Sequence, residues 1–458
     1  MAGANYTPVD GQFEKIAAFV LAEKPDLPES SIEMADRLLV DTIGVCAGAS
    51  NLEVGKIARE FASSFIAGDS AQTSTPILFD GRMASLPGAA YAAATQIDNL
   101  DGHDGFNPVK GHIGCAVVPA LFSFARHLPG LSGREALEAM VIAYEVAART
   151  GLALHGTVSD YHTSGAWNAL GVAALGCRLL GHDANTLRHA IGIAEYHGPR
   201  SQMMREIDNP TMLHDGSGMG AMVGVSSVLL AAKGFTGAPA ATLETAEATP
   251  FWQDLGERWT IAENYIKPYP ICRWAHGSID AVRAIVLANQ ITPEDIASIE
   301  VRTFHEGSRL FAGMPENTTQ AQYSLPFAVA TFLLNGRIGP EHVEGEALCD
   351  PRAAEILKQI TVSESDRHND RFPSGRWADA TIELKDGTRL DSGDINARGG
   401  PDSPFSDEEL REKFDAMTQR ALGAGRTGKI WQAGLDLVKA DVLFAPFADL
   451  LYPPANPA

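Results

Sequence analysis

Apolar residues recur at helical spacing through the first half of the chain and give way to alternation after about Pro270. Ile32, Ala35, Leu39, Ile43 and Cys46 fall three to four residues apart behind Ser30 and Glu33, a capping-box pair. Ser132 and Glu135 repeat the box ahead of Ala136, Ala139, Ile142, Ala143 and Val146, with Glu145 and Arg149 spaced i,i+4 on the same predicted helix. The stretches 166–180 and 216–232 are apolar and rich in Ala and Gly, a texture that suits closely packed helices. Past Pro270, 278–289 keeps helical spacing, but Ile299, Val301 and Thr303 alternate as a strand does. The segments 381–384 and 388–390 flank Asp386-Gly387, a two-residue hairpin signal. Short helices are predicted over 326–334 and 353–359. Helical character returns at Ser406, where Asp407, Glu408 and Glu409 load the first turn with charge that opposes the helix dipole. The pattern predicts a mainly α protein: a large all-helical domain from 1–267 together with 405–458, and a smaller α+β domain from 268–404.

The chain has 458 residues and 45% hydrophobic content, with a formal charge of −21 from 57 acidic and 36 basic side chains. Nucleic acid and anionic membrane surfaces are bound through basic surface, so this balance argues against both as partners. It also raises a question about any anionic ligand, which the average field would repel. Five cysteines without a CxxC pair argue against a disulfide framework or structural zinc. With no basic and apolar leader at the N-terminus, the expected compartment is the cytoplasm.

Four polar stretches stand out in apolar surroundings. In 98–112, Asp101, Asp104, His103, His112 and Lys110 cluster just before an apolar helix whose N-terminal N–H groups could receive an anion. The alternatives are a solvated capping loop or a metal site from Asp101, His103 and Asp104. Next, His162 lies in Tyr161-His162-Thr163-Ser164-Gly165, where it is either functional or a satisfied core histidine. Third, His214 and Asp215 precede a Gly-rich helix, and Asp215 reads as its cap. Last, in 267–281, two prolines hold Lys267 and Tyr269 extended before a helix carrying Cys272, Arg273 and His276. Lys267 between apolar neighbours points to an anion, against a snorkelling alternative. Cys272 and His276 are four apart, but the spacing does not itself place the imidazole on the sulfur. No dinucleotide fingerprint, P-loop, G-x-S-x-G or HExxH is present, and Gly216–Gly220 follows a loop instead of a strand. No cofactor and no metal are therefore expected. What remains is a set of His, Lys and Asp side chains suited to acid–base chemistry beside carboxylates.

Along these stretches the sequence resembles the MmgE/PrpD family. The resemblance begins at RLLVDTIGVCAGAS and runs through AAYAAATQIDNLDGHD, KGHIGCAVVPA and YHTSGAWNALGVAALGCRLLG. It continues in KPYP, AQYSLPFAVA and SDEELREKF. It implies a large helical domain with a smaller α+β lid, a homodimer, and a site between the domains that needs no metal or organic cofactor. Its functional positions fall on Asp101 or Asp104, His112, His162 and Lys267, with His276 nearby. Related enzymes often carry a lysine just before the Gly-rich helix, where this chain reads PTMLHDG with His214 as the nearest basic residue. The expected activity is a dehydratase acting on a small polycarboxylate, with an epimerase, an isomerase, a decarboxylase or a non-catalytic carboxylate binder as alternatives. His162 or Asp101 is the expected base and His112 the acid or carboxylate binder. Lys267 and Lys110 are expected to clamp carboxylates with help from Arg273. Asp104, His103, His214, Tyr269, Cys272 and His276 are expected to complete the substrate site.

Overall fold

A computed structural model describes residues 6–453, and the protein is 57% helical. It has a five-stranded sheet in the smaller unit and two two-stranded sheets, one of which, Ser74–Pro76 with Met83–Ser85, lies within the part expected to be all-helical. At its centre the helix Gly165–Leu179 packs against Gly133–Thr157, Gly114–Ala125 and Ser217–Ala232, and the last of these also packs on Leu86–Leu100. The small residues allow this. A side chain at Gly171 would meet the Ala143 carbonyl at 2.6 Å, and one at Gly224 would meet Val172 at 2.5 Å. The same close approach explains the glycines of 216–220, because a Cβ on Gly220 would sit 2.2 Å from Asn168. The helix N-terminus there receives no external anion, since the Ser217 N–H donates to Asp98 at 3.0 Å.

The expected helices form with shifted ends. Ser132 and Glu135 make a full capping box, as do Ser406 and Glu409. Ser30 and Glu33 do not. That helix, Glu29–Gly48, starts directly after Pro28, so Ser30 already lies inside its first turn. Glu145 and Arg149 pair at 3.4 Å in full burial.

In the smaller unit the strand Ile296–Thr303 pairs in parallel with Ile360–Glu364 and antiparallel with Trp377–Leu384. Arg389–Asp391 and Ile395–Asn396 pair with the far edge of Trp377–Leu384. The Asp386-Gly387 turn forms, but its loop has one residue more than the two predicted: Leu384 N–H donates to the Thr388 carbonyl at 2.8 Å, enclosing 385–387. The helix Arg273–Asn289 lies on this sheet and begins five residues earlier than its apolar spacing predicts, which brings Arg273 and His276 into its first turn. The C-terminal helix Asp407–Leu422 returns to pack on Glu29–Gly48, where Lys413 pairs with Asp41 at 2.6 Å and donates to the Gly102 carbonyl at 2.7 Å. Two further ties join the parts around residue 266. Gly105–Phe106 pairs with Asn264–Tyr265, and Ile266 N–H donates to the Gly399 carbonyl at 2.9 Å. Among the described residues, no helix is long and apolar enough to cross a membrane.

Candidate functional site

The loop 101–112 is held by unusual backbone. Asp101 ends the helix Leu86–Leu100 with φ 55°, and Lys110 closes a short turn at φ 55°. His214 adopts φ 44°, so three of the five described non-glycine residues with positive φ fall in the polar stretches. Each such residue costs of order 1 kcal/mol or more, and strain of this kind collects where side-chain placement matters.

His112 is fixed from two sides. Its backbone N–H donates to Ser164 Oγ at 2.9 Å, and its Nδ1 lies 2.6 Å from the Asp104 carbonyl oxygen. A carbonyl only accepts, which puts the ring proton on Nδ1 and leaves a lone pair on Nε2. Nε2 faces Asp215 Oδ2 at 3.4 Å, and Asp215 Oδ1 accepts from Ser164 Oγ at 2.7 Å. Burial, followed by the charge of Lys267, lowers the His112 pKa to about 3, and burial raises that of Asp215. Both shifts favour the uncharged form, so the imidazole keeps its Nε2 lone pair beside Asp215.

Opposite stands a buried ion pair. Lys267 donates to the Asp101 carboxylate and, at 3.1 Å, to the Asp101 carbonyl. Burial opposes the Lys267 charge, but Asp101 outweighs it and holds the ammonium pKa above its ordinary value. These groups share the wall of one small, partly enclosed cavity of about 20 Å³. Lys110, Tyr161 and Tyr265 also line it, while Cys272, Arg273, Trp274, Tyr323 and Arg376 bring in the smaller unit. Arg273 stacks over the Tyr265 ring at 4.1 Å and donates to the carbonyls of Ala397 and Arg398 at 2.9 and 2.8 Å. Burial pushes the three tyrosine pKa values up, so their hydroxyls stay protonated donors.

Six of the expected site residues meet in this wall: Asp101, Lys110, His112, Lys267, Cys272 and Arg273. Six lie elsewhere. Asp104 caps the helix Gly114–Ala125, accepting from Gly114 N–H at 3.4 Å and from Tyr144 at 3.2 Å, so it occupies the N-terminus expected to receive an anion. His103 is fully buried with its ring 4.4 Å from that of His112. His162 bridges to Gln202, and its N–H donates to His155 Nε2 at 3.3 Å. His214 packs on Tyr323 and lines an adjoining open cleft with Asp98 and Glu206. Tyr269 donates to Asp280 at 2.9 Å, and His276 Nε2 donates to the Ile271 carbonyl at 2.8 Å. That bond leaves no Cys272–His276 pair, and burial pushes the Cys272 thiol far up.

Sequence reasoning assigns Asp215 to helix capping and passes over Tyr265 and Arg376. Tyr265 was accessible: it sits two residues before Lys267 in an extended run, and such residues share a face. Arg376 carries no local signal, lying in the irregular segment FPSGRW. Two buried groups have metal-ligand spacing, Asp98 with His103 and Cys115, and Asp101 with His103 and His112. In the second, Asp101 is already committed to Lys267, so a dication would sit beside an ammonium.

A polar, partly enclosed cavity thus lies where a helical bundle meets an α+β unit. The MmgE/PrpD N-terminal domain matches residues 14–251 and the MmgE/PrpD C-terminal domain matches residues 269–437, and the chain belongs to the MmgE/PrpD family. Human cis-aconitate decarboxylase is 23% identical over 421 residues, spanning 86% of this chain and 85% of that protein. The cis-aconitate decarboxylase-like protein oryM of Aspergillus oryzae is 22% identical over 96% of this chain and 98% of its own length. The mitochondrial 2-methylcitrate dehydratase of Yarrowia lipolytica is 29% identical over 160 residues, 33% of this chain and 31% of that protein.

Proposed function

We propose that this protein is a lyase that removes water from a small hydroxy-polycarboxylate by taking a proton alpha to a carboxylate. The observation that carries this reading is the placement of a lone-pair imidazole, His112 beside Asp215, and an ammonium, Lys267 beside Asp101, in the wall of one partly enclosed cavity. In the proposed step His112 Nε2 accepts the proton. The C–H electron pair becomes the new carbon–carbon double bond as the carbon–oxygen bond breaks. The hydroxyl leaves as water with a proton from Lys267, which is restored when His112 releases its own to solvent. Negative charge that builds on the adjacent carboxylate is offset by Lys267 and Arg273 in a site that largely excludes water. His112 takes the role expected of His162 or Asp101, because His162 is outside the wall and Asp101 is held by Lys267.

Decarboxylation is the second reading, favoured by the near full-length match to proteins named cis-aconitate decarboxylase. Here loss of carbon dioxide leaves the electron pair on carbon, and the Lys267 ammonium, the proton donor of the first reading, returns a proton to it. A panel of hydroxylated and unsaturated tricarboxylates, followed by proton NMR in deuterated water, separates the two. A new vinylic signal from the hydroxy acids supports dehydration; carbon dioxide from the unsaturated acids supports decarboxylation. No turnover of either set rejects both.

A further inference from the structure

Six lysine and arginine side chains are buried among the described residues: Arg59, Arg149, Lys267, Arg273, Arg376 and Lys413. Four are paired with a carboxylate of the chain, Arg59 with Asp80, Arg149 with Glu145, Lys267 with Asp101 and Lys413 with Asp41. The two without one, Arg273 and Arg376, both line the cavity. An unpaired buried charge is strongly unfavourable, so its retention marks a place where an anion arrives from outside.

Arg376 is the sharper case. It is 1% exposed and donates only to carbonyls, those of Pro373, Gly375 and Asn107, while its Nε–H is buried without a partner. Its guanidinium lies over the Phe372 ring at 4.8 Å, which fixes its plane. Lys110 lines the same cavity from the helical unit, with its ammonium 4.5 Å above the Tyr161 ring. Burial, then the charge of Arg376, depresses the Lys110 pKa, so the two cations act on each other; Glu306 offsets both without an ion pair to either. The backbone keeps them in place. A Cβ on Gly277 would meet the Arg376 carbonyl at 2.3 Å, and Asn107 Nδ2 donates to the Ser374 carbonyl at 3.3 Å, so the segment 373–376 is seated against the loop that carries Lys110.

We propose that Arg376 and Lys110 form a second anion subsite, contributed from both units, that binds a carboxylate remote from the reacting carbon and selects tricarboxylates over dicarboxylates. This rests on the polycarboxylate reading above and adds a specificity-determining residue to it. An anion between the two cations removes their repulsion and satisfies the free Nε–H. Lys110 alone supplies charge without the planar donor pair, which is why discrimination is assigned to Arg376.

Calorimetric titration with propane-1,2,3-tricarboxylate and propane-1,2-dicarboxylate tests it. The expected result is wild-type preference for the tricarboxylate of about tenfold or more. Arg376→Gln should lose at least about tenfold in tricarboxylate affinity and less than about twofold for the dicarboxylate, with Arg376→Lys recovering part of the loss. Lys110→Met should lower the same preference from the other side, and it keeps the test open should Arg376→Gln fail to fold. Equal loss of both ligands, or no loss of either, in folded Arg376 and Lys110 variants overturns the subsite and leaves the lyase reading standing. Wild-type protein that binds neither compound overturns the polycarboxylate reading and the subsite with it.

Discussion

Lys267 and Asp101 are each 2% exposed or less, and each is stable as an ion only because of the other. Removing one partner of such a pair costs about 3–5 kcal/mol, whereas removing both can be nearly neutral. Lys267→Met should therefore lower unfolding free energy by about 3 kcal/mol or more. Lys267→Met combined with Asp101→Asn should recover most of that in urea melts, while activity stays absent in both. Equal stability loss in the single and double variants would show that the ion pair is not what burial makes expensive. The same scale explains what local reading finds and misses. Lys267 is legible because two prolines and apolar neighbours isolate it. The partnership of His112 with Asp215 is not, because it depends on Ser164 of a third segment reaching both.

Elements position these residues through their ends. The helix Gly114–Ala125 begins at Asp104, whose carboxyl is pushed up to about 7 by burial and then by the nearby Asp41 charge, from an ordinary 3.8. Between those values the folded chain keeps a proton that the unfolded chain has released. Stability from this group is full below pH 3.8 and is lost as pH rises through 7. Asp104→Asn stays neutral and still offers an accepting oxygen, so its melting temperature relative to wild type should climb between pH 5 and pH 8.5. A pH-independent difference would place Asp104 as a permanent carboxylate. Helix periods and one of the two capping boxes read from the sequence were legible because both are local. The other failed on Pro28, which starts the helix before Ser30 can cap it. The early start of Arg273–Asn289 was hidden because its first turn, RWAH, is buried on all sides and shows no apolar stripe.

At the scale of the whole molecule, a chain of charge −21 surrounds a cavity lined by Lys110, Lys267, Arg273 and Arg376 against Asp101 and Asp215. The outer field repels a polyanion over a Debye length of roughly 30 Å at 0.01 M salt and about 8 Å at 0.15 M. The enclosed cations are screened far less. Raising salt across that range should therefore raise kcat/KM for a polycarboxylate, the reverse of what an open basic surface gives. A fall in kcat/KM would mean that the cations, and not the acidic exterior, govern approach. Family membership and the mainly α, two-part build could be read from the sequence because its signature stretches run along nearly the whole chain. The cations Lys110, Lys267 and Arg273 could be read from it too, but the share brought by Arg376 could not, because that residue reaches the cavity from a segment without a motif. The proposed transfer of a proton from the carbon alpha to a carboxylate onto His112 is read from the rate at which deuterium from solvent enters a bound polycarboxylate, in wild type and in His112→Asn. The expected result is exchange in the wild type and a loss of about 100-fold or more in the variant, with ligand affinity within about threefold. Undiminished exchange in His112→Asn would rule out His112 as the base.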